Sequence, residues 1–154
     1  MKHTADYYIE HLQMEPHVEG GYFKECLLEK EERNLWSSIY FMLAKGEVSH
    51  FHRLKSDEVW YYHDGNALTI YMIDEAGKLT ATKLGLNLEK GEVPQILVPK
   101  GMIFGSAMEE EGFSLVGCMV SPCFKYEEFE LFEREDLLAK YPEHRDVILR
   151  LTRE

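Results

Sequence analysis

The residues best suited to chemistry lie in the segment 46–65, where His52 and Glu58 stand among aromatic residues. A histidine titrates near neutral pH and a carboxylate can orient or tune it, so this pair is able to take up and return a proton. Side chains alternate between the two faces of a β-strand, which predicts that His52, Glu58, Trp60 and Tyr62 share one face. If that face is internal, apolar walls with a few polar groups would form a pocket for a small molecule. The same residues also fit an ordinary core in which the histidine and the glutamate bond only to each other.

The pattern along the chain predicts one β-rich domain, over residues 1–154, with helices at both ends. Between about 22 and 132, short apolar runs alternate with turn residues, as is typical of an all-β sandwich or barrel. An amphipathic helix is expected at about 4–14, and two helices separated by Pro142 are expected at about 134–152. The strand-like runs are 22–28, 35–43, 58–62, 67–74, 79–84, 95–98 and 114–120, followed by an edge strand at 126–132.

The composition excludes several classes of function. With 154 residues, of which 45% are hydrophobic, the chain has enough material for one buried core. A formal net charge of -11 argues against binding to nucleic acids or to anionic membranes. The sequence shows neither an apolar signal segment nor a membrane-spanning run, so a cytoplasmic protein is expected. Cys26, Cys118 and Cys123 are predicted to be reduced thiols in the core.

The spacing around His52 resembles the first motif of the cupin superfamily, GxxxxxHxHxxxExxxxxxG. His52 and Glu58 match its first histidine and its glutamate, whereas Leu54 stands in place of the second histidine. The second cupin motif, PxGxxHxxxN, aligns with the segment 99–108, where Phe104 replaces the histidine. The segment therefore favours the fold of this superfamily more strongly than its usual metal chemistry.

Five blocks in order resemble the DUF985 or cupin-5 family of RmlC-like cupins, and together they span most of the chain. This resemblance implies a double-stranded β-helix, the jelly-roll cupin barrel, and cupins of this kind are commonly homodimers. The blocks are 16–23, 49–60, 85–95, 98–101 and 115–118.

The missing histidines argue against a tightly bound metal. Leucine and phenylalanine cannot ligate, and each absent imidazole removes a strong donor together with the bond that orients it. We therefore expect no metal and no other cofactor. His50 has the same parity as His52, so a metal site with a different ligand set remains open.

The surviving residues resemble those of metal-independent cupin isomerases and epimerases, which act on carbohydrate-like or carbonyl compounds. In this interpretation His52 is the base, Glu58 tunes it, and Tyr62, Tyr40 or Tyr22 supplies the acid. Two alternatives stay open: a binding module without catalysis, and a metal-dependent dioxygenase. Further residues are expected to contact the small-molecule ligand, namely Glu19, Tyr22, Tyr40, Trp60, Gln95 and Phe104.

Overall fold

The computed structural model describes residues 3–28, 35–44 and 46–154, which form two antiparallel sheets and three α-helices. The helices are α1 (Ala5–His11), α2 (Arg134–Lys140) and α3 (Arg145–Arg150). The strands are β1 (Glu15–Pro16), β2 (Tyr22–Leu28), β3 (Ser37–Ala44), β4 (Val48–Arg53), β5 (Asp57–Gly65), β6 (Leu68–Ile73), β7 (Leu79–Leu84), β8 (Gln95–Val98), β9 (Ile103–Ala107), β10 (Phe113–Ser121) and β11 (Glu130–Leu131).

The two sheets interleave strands that are distant in the sequence. One sheet has the order β1-β2-β3-β10-β5-β8, and the other has the order β11-β4-β9-β6-β7. The chain therefore crosses repeatedly from sheet to sheet, which is the arrangement of a jelly roll. The all-β jelly-roll fold expected from the sequence is confirmed.

The main core lies between the sheets. Alternation along each strand sends every second side chain inward, so the apolar residues at those positions meet those of the opposite sheet. The fully buried members of this core include Phe41, Leu43, Trp60, Leu68, Ile70, Leu84, Phe104 and Val116.

Helices cover the outer face of each sheet. The segment of α1 packs with Tyr22 and Tyr40 around Met14, Met42 and Leu115, on the outside of the six-stranded sheet. The C-terminal helices pack on the five-stranded sheet, around a second set of buried residues: Phe51, Ile73, Ile103, Ala107, Leu137, Tyr141, Ile148 and Leu151.

Strands that are buried on both faces explain why the sequence pattern missed some elements. All five residues of β9 are buried, so this strand shows no alternation of polar and apolar residues. Neither β9 nor β4 is among the predicted strand-like runs. The expected edge strand at 126–132 is instead a 3-10 turn at Tyr126–Glu128 followed by the two residues of β11. The last predicted helix begins with a 3-10 turn at Pro142–His144 before α3.

The cysteines do not all behave as predicted. Cys118 and Cys123 are buried free thiols, but Cys26 is exposed, so the prediction of a core thiol is wrong there. The pairing of β2 with β3 shifts between Glu25 and Leu27, which leaves Cys26 without a register partner and turns it out of the core.

Among the described helices, none has the length and apolar character needed to cross a membrane.

Candidate functional site

A cavity of about 300 Å³ lies between the two sheets. Its volume is at the lower end of the range for small-molecule sites. Among the described residues, the polar side chains of its wall are those of Glu15, His17, Glu19, Glu25, Ser37, His52, Glu58, Cys118 and Tyr126. The apolar part includes Phe23, Ile39, Leu54, Val120, Phe124 and Phe129.

A bulge in β4 places His52 in this wall. On the neighbouring strand β9, Ser49 pairs with Ser106 and His52 pairs with Phe104, so three steps along β4 match two steps along β9. The extra residue interrupts the alternation of side chains between the two faces of β4. Strict alternation would place His50 on the same face as His52, but His50 does not line the cavity. Instead, the carbonyl oxygen of His50 lies 2.6 Å from Nδ1 of His52.

Glu19 reaches the cavity from the turn between β1 and β2. The backbone N–H of His50 donates to the carbonyl of Glu19 at 2.7 Å, which fastens the turn to β4. Gly20 permits this close approach, because it has a φ of +108° and a Cβ there would collide with the carbonyl oxygen of Val48. The same turn is also held from the C-terminal segment, where the guanidinium of Arg153 donates to the carbonyl of Val18.

Glu19 and His52 form a buried pair in which the imidazole is held at both nitrogens. Nε2 of His52 lies 3.0 Å from Oε2 of Glu19, and the two residues are 2% and 7% exposed. Since Nδ1 faces the His50 carbonyl, both ring nitrogens point at acceptors, as in a protonated imidazole. The pair is therefore best described as an imidazolium and a carboxylate.

The pKa shifts of the pair agree with this geometry. Burial alone would lower the pKa of His52, but the charge and hydrogen bond of Glu19 outweigh burial and raise it. Burial alone would raise the pKa of Glu19, but the charge and hydrogen bond of His52, with smaller contributions from His17 and Ser49, make the net shift downward. Each partner thus favours the charged form of the other, against the effect of burial.

Glu58 behaves differently, although it lines the same cavity. It is 6% exposed, and burial together with the negative charge of Glu19 raises its pKa to about 7. The thiol of Cys118 is a side-chain hydrogen-bond partner of this carboxyl group. Glu58 therefore changes its charge near neutral pH, while the Glu19–His52 pair stays ionised.

Several polar residues of the wall were not among the predicted site residues, and His17 and Cys118 are the two that contact the inner carboxyl groups. His17 lies 3.9 Å from Glu19 through Nδ1 and Oε1, and burial lowers its pKa. It has the same parity as Glu19 in a segment flanked by Pro16 and Gly20, which is the signal that could have identified it. Cys118 carried no such signal, because a cysteine inside an apolar strand looks like any other core residue.

The structure brings three of the predicted site residues together, namely His52, Glu58 and Glu19. Trp60 and Phe104 belong to the packed core next to them. The ring of Phe104 lies 4.1 Å from that of His52, and Trp60 packs 5.6 Å from Phe41, measured between ring centroids. Both pack against residues of the cavity wall, and neither lines the cavity itself.

The other predicted residues lie away from the cavity. Tyr62 is four residues beyond Glu58, about 13 Å along an extended strand, and its hydroxyl donates to the carbonyl of Gly65 at 2.7 Å. Tyr22 and Tyr40 face the α1 side of their sheet. Gln95 is exposed on the edge strand β8. Among the described residues, Tyr126 is the tyrosine that lines the cavity, and it is 57% exposed.

The donor set does not fit the three-histidine, one-glutamate metal site that the fold commonly carries. Leu54 lines the cavity and Phe104 packs on His52, so two of the four positions offer only carbon atoms. Both ring nitrogens of His52 are occupied, Nε2 by Glu19 and Nδ1 by the His50 carbonyl, so neither is free to ligate. Among the residues that the structure describes, no group of three or more His, Cys, Asp or Glu side chains could hold a metal ion.

Comparison with known proteins adds a family and several relatives. Residues 6–132 match the Cupin_5 family model, described as cupin superfamily (DUF985). The crystal structure of protein SO0799 from Shewanella oneidensis superposes with a TM-score of 0.95 at 57% identity, over 98% of each chain. A hypothetical protein from Leishmania major superposes with a TM-score of 0.92 at 36% identity, over 99% of this chain and 100% of that one. The uncharacterized protein YML079W of Saccharomyces cerevisiae is 26% identical over 149 residues, which are 82% of this chain and 74% of the relative.

Proposed function

This chain belongs to the DUF985 family of the cupin superfamily, and on that basis we propose that it binds a small organic molecule between its sheets and moves a proton on it. The reaction class is that of a metal-independent isomerase acting on a carbonyl or carbohydrate-like compound. One observation carries this proposal: Glu58, on the cavity wall, has its pKa raised to about 7. A general acid or base works best when its pKa lies near the working pH.

Glu58 takes the role of base in this proposal, in place of His52. The contacts of His52 to the His50 carbonyl and to Glu19 occupy both ring nitrogens, so the imidazole has no free lone pair to accept a proton. Ionised Glu58 removes a proton from the carbon next to the carbonyl, and an enolate forms. The protonated Glu58 then returns that proton to the former carbonyl carbon, while the proton of the adjacent substrate hydroxyl passes to the former carbonyl oxygen. The two proton transfers leave an isomer of the substrate and an ionised Glu58, so the step is balanced without another reactant.

His52 supports the same step through its charge. Negative charge develops on the substrate oxygen as the proton leaves, and a buried imidazolium held in place at both nitrogens stabilises such charge without having to reorganise. Glu19 keeps His52 protonated, so we expect Glu19→Gln to lower the pKa of His52. An NMR titration of the histidine side chains measures this change, with Glu10→Gln on α1 as the control.

The proposal is tested by hydrogen exchange at carbon. The protein is incubated in deuterated water with a panel of aldoses, ketoses and α-hydroxyketones, and incorporation of deuterium is followed by NMR. We expect exchange that rises with pH through about 7, as the Glu58 carboxylate forms. Glu58→Gln should abolish it, whereas Glu10→Gln should leave it unchanged.

The opposite results are equally informative. Exchange that persists in Glu58→Gln would remove Glu58 from the reaction. A compound that binds in the cavity but exchanges no carbon-bound proton would favour a binding module without catalysis.

A further inference from the structure

We infer that the ligand of this cavity is an organic cation, with an amine or quaternary ammonium group on a compact apolar body. This assigns a ligand class to the site proposed above, and so it rests on the proposed function. The inference comes from the charges at the cavity opening and from the aromatic rings beside them.

The wall of the cavity carries an excess of negative charge. Among the described residues that line it, the acidic ones are Glu15, Glu19, Glu25 and Glu58, and none is a lysine or an arginine. Glu19 is balanced by His52 at 3.0 Å. His17 does not balance a second carboxylate, because burial favours its neutral form.

Among the residues that the structure describes, no cationic side chain pairs with Glu15 or Glu25, two exposed residues at the edge of the six-stranded sheet. Glu15 is the register partner of Phe23, and Glu25 lies two residues beyond Phe23 on β2. All three line the cavity, so two carboxylates flank one phenylalanine ring there. An anionic ligand would be repelled at this opening, a neutral ligand would gain nothing from the two carboxylates, and a cationic ligand would be attracted by them.

Three more aromatic rings line the same cavity. Phe124 lies 4.9 Å from Tyr126 and 6.0 Å from Phe129, and Tyr126 lies 6.4 Å from Phe129, all between ring centroids. The rings meet edge to face, so they present differently oriented surfaces to the space beside them. Aromatic faces attract cations, and clusters of such rings bind quaternary ammonium groups.

The ring cluster also connects the opening with the inner polar residues. The ring of Phe129 lies 5.4 Å from that of His52. A ligand with its cationic group among the rings and the carboxylates would therefore place its other end near His52 and Glu58. This geometry couples recognition of a positive charge to the group that transfers the proton.

The test compares three probes of nearly the same shape. Choline carries the quaternary nitrogen, neohexyl alcohol has carbon in its place, and the anion of tert-butylacetic acid carries a negative charge. Titration calorimetry at neutral pH and low salt should give choline an affinity about tenfold higher than that of the uncharged alcohol. The anion should bind most weakly of the three.

Two variants locate the preference. Tyr126→Leu and Glu25→Gln should each weaken choline binding by roughly threefold to tenfold, and should leave the binding of the alcohol unchanged. The matched controls, Tyr7→Leu and Glu10→Gln on α1, should alter neither. If choline does not bind more tightly than the alcohol, or if both site variants leave choline binding unchanged, the inference is overturned.

These binding measurements involve no turnover. Their failure is therefore distinct from a failure of the exchange experiment. A compound that exchanges its proton through Glu58 but is an anion would overturn the cation preference and leave the proton transfer standing.

Discussion

The space between the two sheets has a filled end and an open end, and the same strands build both. On β3, Phe41 belongs to the filled end and is fully buried, while Ile39, two residues earlier, lines the cavity. On β5, Trp60 is packed and Glu58 lines the cavity. The backbone pairing with β10 is regular through these residues of both strands. The difference between the ends thus lies in the side chains, not in the sheet.

This contrast separates the residues that stabilise the fold from those that make the site. The filled end buries aromatic and aliphatic side chains, and so contributes hydrophobic free energy. The open end buries carboxyl and imidazole groups, which lose hydration and are stabilised only where they have a partner. Glu58 is buried beside the negative charge of Glu19, and these two effects outweigh the attraction of His52 and raise the pKa of Glu58 to about 7.

The largest effect should come from emptying the filled end. Phe41→Ala removes a fully buried ring and should lower the free energy of unfolding by about 3–5 kcal/mol. Ile39→Ala, on the cavity wall of the same strand, should cost clearly less, because its side chain already borders open space. Urea denaturation of both variants measures the difference. Equal losses would mean that the two ends are packed alike.

The second-largest change in the free energy of unfolding concerns Glu58, and here the substitution should stabilise the protein. Its pKa rises from 4.5 to about 7 on folding, so between these values the unfolded chain releases the proton first and stability falls as pH rises. Glu58→Gln removes this loss and should raise the free energy of unfolding above pH 7 by up to about 3 kcal/mol. At pH 4.5 and below, the variant and the parent should differ little.

Glu19→Gln is the matched control for this sign. The pKa of Glu19 is lowered in the folded protein, so its charge stabilises the fold above the ordinary pKa of a glutamate. The same substitution there should reduce stability at neutral pH. If both variants shift stability in the same direction, the two carboxyl groups do not differ in charge as described.

A smaller loss of stability should follow from adding a methyl group in the turn that carries Glu19. Gly20→Ala introduces a Cβ that meets the Val48 carbonyl, and should cost about 2 kcal/mol more than Gly91→Ala. Gly91 also has a positive φ, but a Cβ there meets nothing within 4 Å. Thermal unfolding compares the pair, and calorimetry with choline reports the site. Equal stability losses would show that the turn bearing Glu19 can move away from β4.

The smallest expected difference in stability is between two valines of the same strand. Val116 is fully buried at the filled end, and Val120 lines the cavity on β10. Truncation to alanine should cost about 1 kcal/mol more at Val116 than at Val120, since only the first leaves a closed void. Denaturant midpoints resolve a difference of this size. A larger loss at Val120 would contradict the assignment of the open end.

The sequence predicted the fold and three residues of the candidate site for identifiable reasons. The spacing of His52, Glu58 and the flanking glycines resembles a family motif, and Glu19 stands in another block of the same family. The alternation of side chains along one strand could not predict which other residues line the cavity. The bulge in β4 separates His50 from His52, and the length of β5 carries Tyr62 away from Glu58.

Residues from distant segments were out of reach of such reasoning. Cys118 and Tyr126 line the cavity together only because the strand order brings their segments to one end of the sandwich. The pattern at 126–132 also pointed to an edge strand, which concealed the aromatic rings at the opening. The homodimer and the cytoplasmic location stay predictions.

The bulge in β4 also supplies a natural pair of reporters. Two consecutive backbone amides are bonded to opposite ends of the described chain: the N–H of His50 to the carbonyl of Glu19, and the N–H of Phe51 to the carbonyl of Leu151. Opening of the N-terminal turn would unprotect the first amide, and detachment of the C-terminal segment would unprotect the second. Their exchange rates, read side by side in one spectrum, would tell which terminal segment leaves the barrel first.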